Sequence, residues 1–214
     1  MQSVSLTRGN ILPRVFLGLF GSLLFAAVGV VAGSFVPVRM LQVLMFVELA
    51  MIFGAMFLQR RRSIGYSFVY AFTFISGMTL FPVIAYYTGT LGAGTVLEAM
   101  GVTAVSFLAA AGVASRSSFD FSFLRGFLFI GLIALVLVGL LSFFVGFSSS
   151  LQMGYTMLGI AVFIGFVLFD VNRISRVGVA ESQIPWVVLS LYLDVINLFL
   201  FILRLMGLNV SGRR

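Results

Sequence analysis

Histidine, cysteine and lysine do not occur in this 214-residue chain, and only 6 side chains are acidic. Without cysteine there are no disulfides, no thiolate nucleophiles and no thiolate metal ligands. Without histidine there is no imidazole base and no common zinc ligand. Without lysine there is no amine to carry a Schiff base, which excludes a retinal pigment. Charge is scarce throughout, at 9% of residues, where an ordinary domain carries roughly a quarter.

What is present is hydrophobic. Apolar residues make up 61% of the chain, and no water-soluble domain has such a composition. The chain reads as an integral membrane protein whose solvent and first partner is the lipid bilayer. All 13 basic residues are arginine, and the net charge is +7. They sit at the ends of apolar runs, so their expected partners are anionic headgroups and not nucleic acid.

A spanning helix needs roughly 20 mostly apolar residues. Seven segments meet that length: Val15–Val36, Val38–Gln59, Gly65–Tyr87, Gly92–Ala114, Ser122–Val145, Gln152–Asp170 or slightly beyond, and Pro185–Gly207. The connections are short. The expected fold class is therefore an all-α integral membrane protein, one seven-helix domain over residues 1–214. Arg8 and Arg14 precede an apolar run too long for a signal peptide, so the first segment is expected to remain as a span. Gly29 and Gly33, four apart, suit close helix approach. Pro82 is expected to kink the third span, and Pro185 suits the first turn of the seventh.

If the spans alternate, nine arginines fall on one side (Arg8, Arg14, Arg60, Arg61, Arg62, Arg116, Arg125, Arg173, Arg176) and four on the other (Arg39, Arg204, Arg213, Arg214). The positive-inside rule then places the N-terminus in the cytoplasm and the C-terminus outside, in a multi-pass protein of the plasma membrane.

Four acids fall within or at the end of a span: Glu48, Glu98, Asp170 and Asp194. Asp120 and Glu181 fall in loops, where a solvated charge is the expectation. A charge near the bilayer centre costs about 2.5–3.5 kcal/mol on insertion scales, so such groups pair, line water or do chemistry. On a wheel of the seventh span with Asp194 at zero, Ser190, Asn197 and Arg204 fall near −40°, −60° and −80°. This single polar stripe on an otherwise apolar helix is expected to face protein or water. The sixth span has a weaker stripe of Thr156, Gly159, Asp170 and Arg173.

Asp194 lies roughly 14 Å in from Pro185 along the helix. Asp170 reaches a similar depth if the sixth helix tilts or continues into "VNRISR". Two carboxylates brought together cannot both ionise cheaply, so the pair is expected to share a proton, to sense pH and to accept a divalent cation. Glu48 and Arg204 form a second candidate ion pair; the alternative is that Arg204 snorkels outward. Glu98 is expected either buried and protonated or in contact with interfacial water.

The stretches "GYSFVYAFTFISGMTLFPVIAYY", "LEAMGVTAVSF", "LFDVNRI" and above all "SLYLDVINLFLFILRLMG" resemble the transmembrane Bax-inhibitor-motif family, in particular its bacterial YetJ-like members. The resemblance runs from about the second span to the seventh. It implies six helices around a central C-terminal helix and a pH-sensitive calcium leak. It makes Asp170 and Asp194 the gating dyad, Arg60 in "LQRRRSIGY" its latch, and Glu48 and Arg204 the second pair. On the wheel Arg62 shares the face of Glu48 better than Arg60 does, so the latch stays open among Arg60, Arg61 and Arg62.

The leading expectation is a non-enzymatic leak that passes Ca²⁺ down its gradient. The aspartates, sharing a proton and held by an arginine, would close the cytoplasmic end, and a change of protonation would shift the seventh helix. Carboxylate oxygens suit calcium, and acidic groups favour cations in a pore. No resident cofactor is expected; Ca²⁺ is the transported ion and a ligand of Asp170 and Asp194, protons are the competing partner, and the protein is expected as a monomer or weak oligomer. An intramembrane aspartyl protease is the enzymatic alternative, since it too places one Asp on each of two consecutive helices. Leu191, Tyr192 and Leu193 here precede Asp194 where such proteases carry Gly-x-Gly. A regulatory membrane protein without ion flux of its own is the third class.

Overall fold

The computed structural model describes residues 11–59, 64–142 and 144–211. Among them are no strands and seven α-helices long and apolar enough to cross a membrane. They are α1 (Ile11–Gly33), α2 (Val38–Gln59), α3 (Tyr66–Leu91), α4 (Ala93–Arg116), α5 (Leu124–Leu141), α6 (Ser149–Val177) and α7 (Ile184–Ser211). Short 3₁₀ turns, Phe121–Phe123 and Glu181–Gln183, lead into α5 and α7.

Local chemistry sets the ends. α1 stops at Gly33, three residues before the expected Val36, because Pro37 disfavours helical backbone in the residue before it. α5 ends at Leu141, short of the expected Val145, and the Ser142 hydroxyl donates to Gly139 O at 2.6 Å to close it. Gly92 (φ 89°) turns the chain between α3 and α4, and Gly178 (φ 78°) ends α6; both lie in the left-handed region that glycine alone enters freely. α6 runs to Val177, two turns past Asp170. The expected continuation into "VNRISR" is therefore present.

The outward faces are apolar. Met40, Phe46, Phe53 and Phe57 of α2 and Phe127, Phe129 and Ile130 of α5 are all more than half exposed. That surface suits hydrocarbon and not water. α7 is the opposite case: 61% of its apolar stretch is buried, against 11% for α2 and α5. The molecule is a multi-pass membrane protein.

The chain forms two compact units, Met1–Tyr86 with Val177–Tyr192 and Tyr87–Arg176 with Leu193–Arg214. In the first, α1 lies along α3: Gly18 meets Tyr66, Gly29 meets Phe74 and Gly77, and Gly33 meets Met78 and Phe81. These contacts advance in the same direction on both helices, so the two run parallel. A methyl group on Gly29 or Gly77 would overlap the facing carbonyl of Phe74 or Ala26. Tyr192, at the end of this unit's share of α7, is fully buried, packs edge-on to Phe72 and reaches Thr73 O at 3.5 Å.

In the second unit α5 and α6 run antiparallel. Gly165 receives Leu128, Gly131 receives Val162, and Gly139 receives the Tyr155 hydroxyl. Gly159 of α6 receives Phe201 of α7, whose ring also lies 5.9 Å from Phe163 and 5.5 Å from Tyr155. Small residues opposite large ones let membrane helices approach where no hydrophobic effect drives them together.

Candidate functional site

The second unit holds both aspartates. Asp194 sits about three turns into α7 and is 6% exposed, with Leu191, Tyr192 and Leu198 around it in sequence fully buried. Its Oδ2 is buried without a hydrogen-bond partner among the described residues. Asp170, half-buried on α6, is the charged group that acts on it electrostatically. A buried carboxylate oxygen left without a donor is costly in apolar surroundings. A second carboxylate beside it raises that cost unless a proton or a cation is taken up. This arrangement can therefore hold a shared proton, or exchange it for a cation.

The other polar residues of the α7 stripe differ in their surroundings. Asn197 donates from Nδ2 to Leu193 O at 2.7 Å, one turn back on its own helix. Arg204 lies with its guanidinium carbon 5.0 Å from the centre of the Tyr155 ring, and the Tyr155 hydroxyl donates to Leu135 O at 3.2 Å. A cation on an aromatic face stabilises by about 0.5–2 kcal/mol, more as water is excluded. In the first unit, Glu48 accepts a 2.7 Å hydrogen bond from the Thr79 hydroxyl, which also donates to Ser76 O at 2.9 Å. Each member of the second candidate pair thus has a partner within its own unit. Arg60, the expected latch, lies outside the described residues, as do Arg61 and Arg62. Glu98 is exposed on the second turn of α4.

The loop acids are exposed as expected, yet both are engaged. Glu181 accepts from Arg14 at 2.6 Å, which joins the turn before α7 to the first turn of α1. Asp120 caps the Phe121–Phe123 turn, accepting from the Ser122 N–H at 2.8 Å. The Ser122 hydroxyl and N–H, with Arg176 nearby, hold the Asp120 carboxyl below the usual carboxylate range.

Sequence reasoning missed Asn172. This α6 side chain is 2% exposed and donates from Nδ2 to Ala114 O and to Phe119 O, both at 3.1 Å. Its Oδ1 accepts from Phe121 N–H at 3.2 Å. The signal was available, since an amide two residues after Asp170 in "LFDVNRI" interrupts an apolar run.

A seven-span helical membrane protein with one buried carboxylate and a second acting on it, on its last two helices, is the class that fold and site define. The profile of the family described as "Inhibitor of apoptosis-promoting Bax1" matches residues 8–211. The chain belongs to this Bax inhibitor family. It is 34% identical over 163 residues to Bax inhibitor 1 of Schizosaccharomyces pombe, covering 76% of this chain and 59% of that one. It is 35% identical over 147 residues to a membrane protein of Vibrio cholerae, covering 68% and 65%. It is 31% identical over 170 residues to the Golgi anti-apoptotic protein of vaccinia virus (strain Lister), covering 79% and 68%. The chain thus spans less than two thirds of the length of the first two relatives.

Proposed function

We propose that this protein is a pH-sensitive calcium leak, which lets Ca²⁺ pass down its gradient across the plasma membrane under control of Asp170 and Asp194. The observation that carries the reading is the buried Oδ2 of Asp194, without a hydrogen-bond partner among the described residues, with Asp170 acting on it. Two carboxylates on adjacent helices offer hard oxygen ligands. Among the described residues no third acid joins them. Two ligands make a shallow site, and conduction needs an ion to leave as readily as it enters. Ca²⁺ is cargo in this reading, and protons compete for the same oxygens. The arginine surplus supports a cytoplasmic N-terminus and an outside C-terminus. The latch falls to Arg60 or its two neighbours.

Peptidase chemistry fits less well. The residues before Asp194 are Leu191, Tyr192 and Leu193, the first two at 0% exposure, so no small-residue backbone is open to a substrate strand. Calcium uptake by protein-loaded and empty liposomes, followed across pH, tests the proposal. Uptake above the empty-liposome rate that varies with pH supports it. Equal rates at every pH, or cleavage of a transmembrane peptide by the purified protein, would overturn it.

A further inference from the structure

Asn172 and Asp170 are two residues apart, so they leave α6 about 200° apart around its axis. One face carries the aspartate that acts on Asp194. The other carries an amide that is 2% exposed and uses both donors and its acceptor on one segment: Ala114 O at the end of α4, and Phe119 O and Phe121 N–H in the loop before α5. One turn further on, Arg176 donates from Nη1 to Ser118 O in the same loop. The loop is ordered in turn by Asp120 capping Ser122 and by the Phe119 ring set edge-on to Phe121 and Phe123.

A helix free on one side can roll or slide. A helix whose buried amide makes three bonds to fixed backbone cannot do so without leaving polar groups unsatisfied on both partners. We propose that Asn172 is a positioning residue: it clamps the end of α6 to the α4–α5 loop and thereby sets the rotation at which Asp170 meets Asp194. The proposal rests on the dyad reading above and assigns that site a determinant outside itself. The charged groups around the clamp are Asp170, Arg173 and Arg176 on α6, Asp194 on α7 and Asp120 in the loop, with Arg116 and Arg125 flanking the loop in sequence.

The role separates from a merely structural one by two readouts that need no ion flux. The chain has no cysteine, so a spin label on Ser118→Cys reports the loop alone. The infrared carbonyl band of protonated carboxyls, assigned by its loss in Asp170→Asn and Asp194→Asn, reports the dyad. Asn172→Leu removes all three bonds at similar volume. Phe121→Pro removes the Phe121 N–H together with its ring, and Phe121→Ala, which loses the ring but keeps the N–H, is its control. The proline falls at the first position of a 3₁₀ turn, after an Asp120 already extended at φ −92°, ψ 112°, which is the backbone that a following proline requires.

In the Leu variant the label is expected to become mobile and the carboxyl band to change its dependence on pH relative to wild type. The Pro variant is expected to show both changes to a smaller degree, and it decides the matter if the Leu variant does not fold. A mobile loop with an unmoved carboxyl titration would overturn the positioning role, and an unchanged label would overturn the clamp. Wild-type protein that titrates at the dyad but passes no Ca²⁺ would sink the leak reading and leave this proposal standing.

Discussion

Asp170 on α6 lies within electrostatic reach of Asp194 on α7, whose Oδ2 is buried without a hydrogen-bond donor among the described residues. Two acids of like charge on consecutive helices are not a packing solution, since apolar residues of similar size would fill the same space at less cost. Their pairing, with Asp194 in the most buried of the seven described helices of a Bax inhibitor family chain, is the feature that needs a functional account.

The glycine contact between α1 and α3 gives a stability prediction independent of that account. Gly77→Val drives side-chain atoms into the Ala26 carbonyl. Overpacking of this kind destabilises by about 1–3 kcal/mol. The variant is expected to melt below wild type in detergent, whereas Gly94→Ala, with nothing within 4 Å of the added carbon, is expected to melt with it. Equal melting of Gly77→Val and wild type would contradict the close approach.

Much of the fold was legible because a spanning helix must be an apolar run of a set length. The end of α6 was harder to read. Asn172, Arg173 and Arg176 break the hydropathy there, and the helix continues because Asn172 and Arg176 bond to the loop, a partner 50 to 60 residues away in sequence. The charges of the site were legible as charges, and their partners were not. Thr79 reads as an ordinary helix threonine back-bonded to its own helix, which it also is, and nothing in sequence brings it to Glu48. Tyr155 under Arg204 depends on the register between α6 and α7, which a period of 3.6 leaves undetermined.

The Asp120 cap carries a pH dependence whose sign follows from its depressed pKa. The folded value lies below the unfolded one, so the cap stabilises the loop above the ordinary carboxylate range and is lost as pH falls through the lowered value. Protection of the Ser122 amide from hydrogen exchange, corrected for intrinsic rate, is expected to fall on acidification. In Asp120→Ala it should be low and flat with pH. Equal protection in both proteins would show that the cap does not order the turn.

Truncating Tyr155 removes the ring beneath Arg204 together with the hydroxyl bond to Leu135 O. Tyr155→Phe keeps the ring and loses only that bond. Tyr155→Leu is therefore expected to lower thermal stability by about 1–2 kcal/mol more than Tyr155→Phe. Equal losses would assign the effect to the hydroxyl and leave the cation–ring contact without a role.

The proposed latch is tested by Arg60→Ala, which is expected to raise the basal calcium leak several-fold at the pH where wild type leaks least. Arg61→Ala and Arg62→Ala run beside it. A rise confined to one of the neighbours would move the latch to that position, and no rise in any of the three would remove an arginine from the closed state.

The most direct test is the pH profile of calcium entry into liposomes carrying wild-type protein, Asp170→Asn or Asp194→Asn at matched density. Leak gated by a proton held between the two acids predicts a profile that is steep in wild type and flat in each variant, at an altered rate. Variants that keep both the wild-type rate and its pH dependence would show that these carboxylates do not control passage.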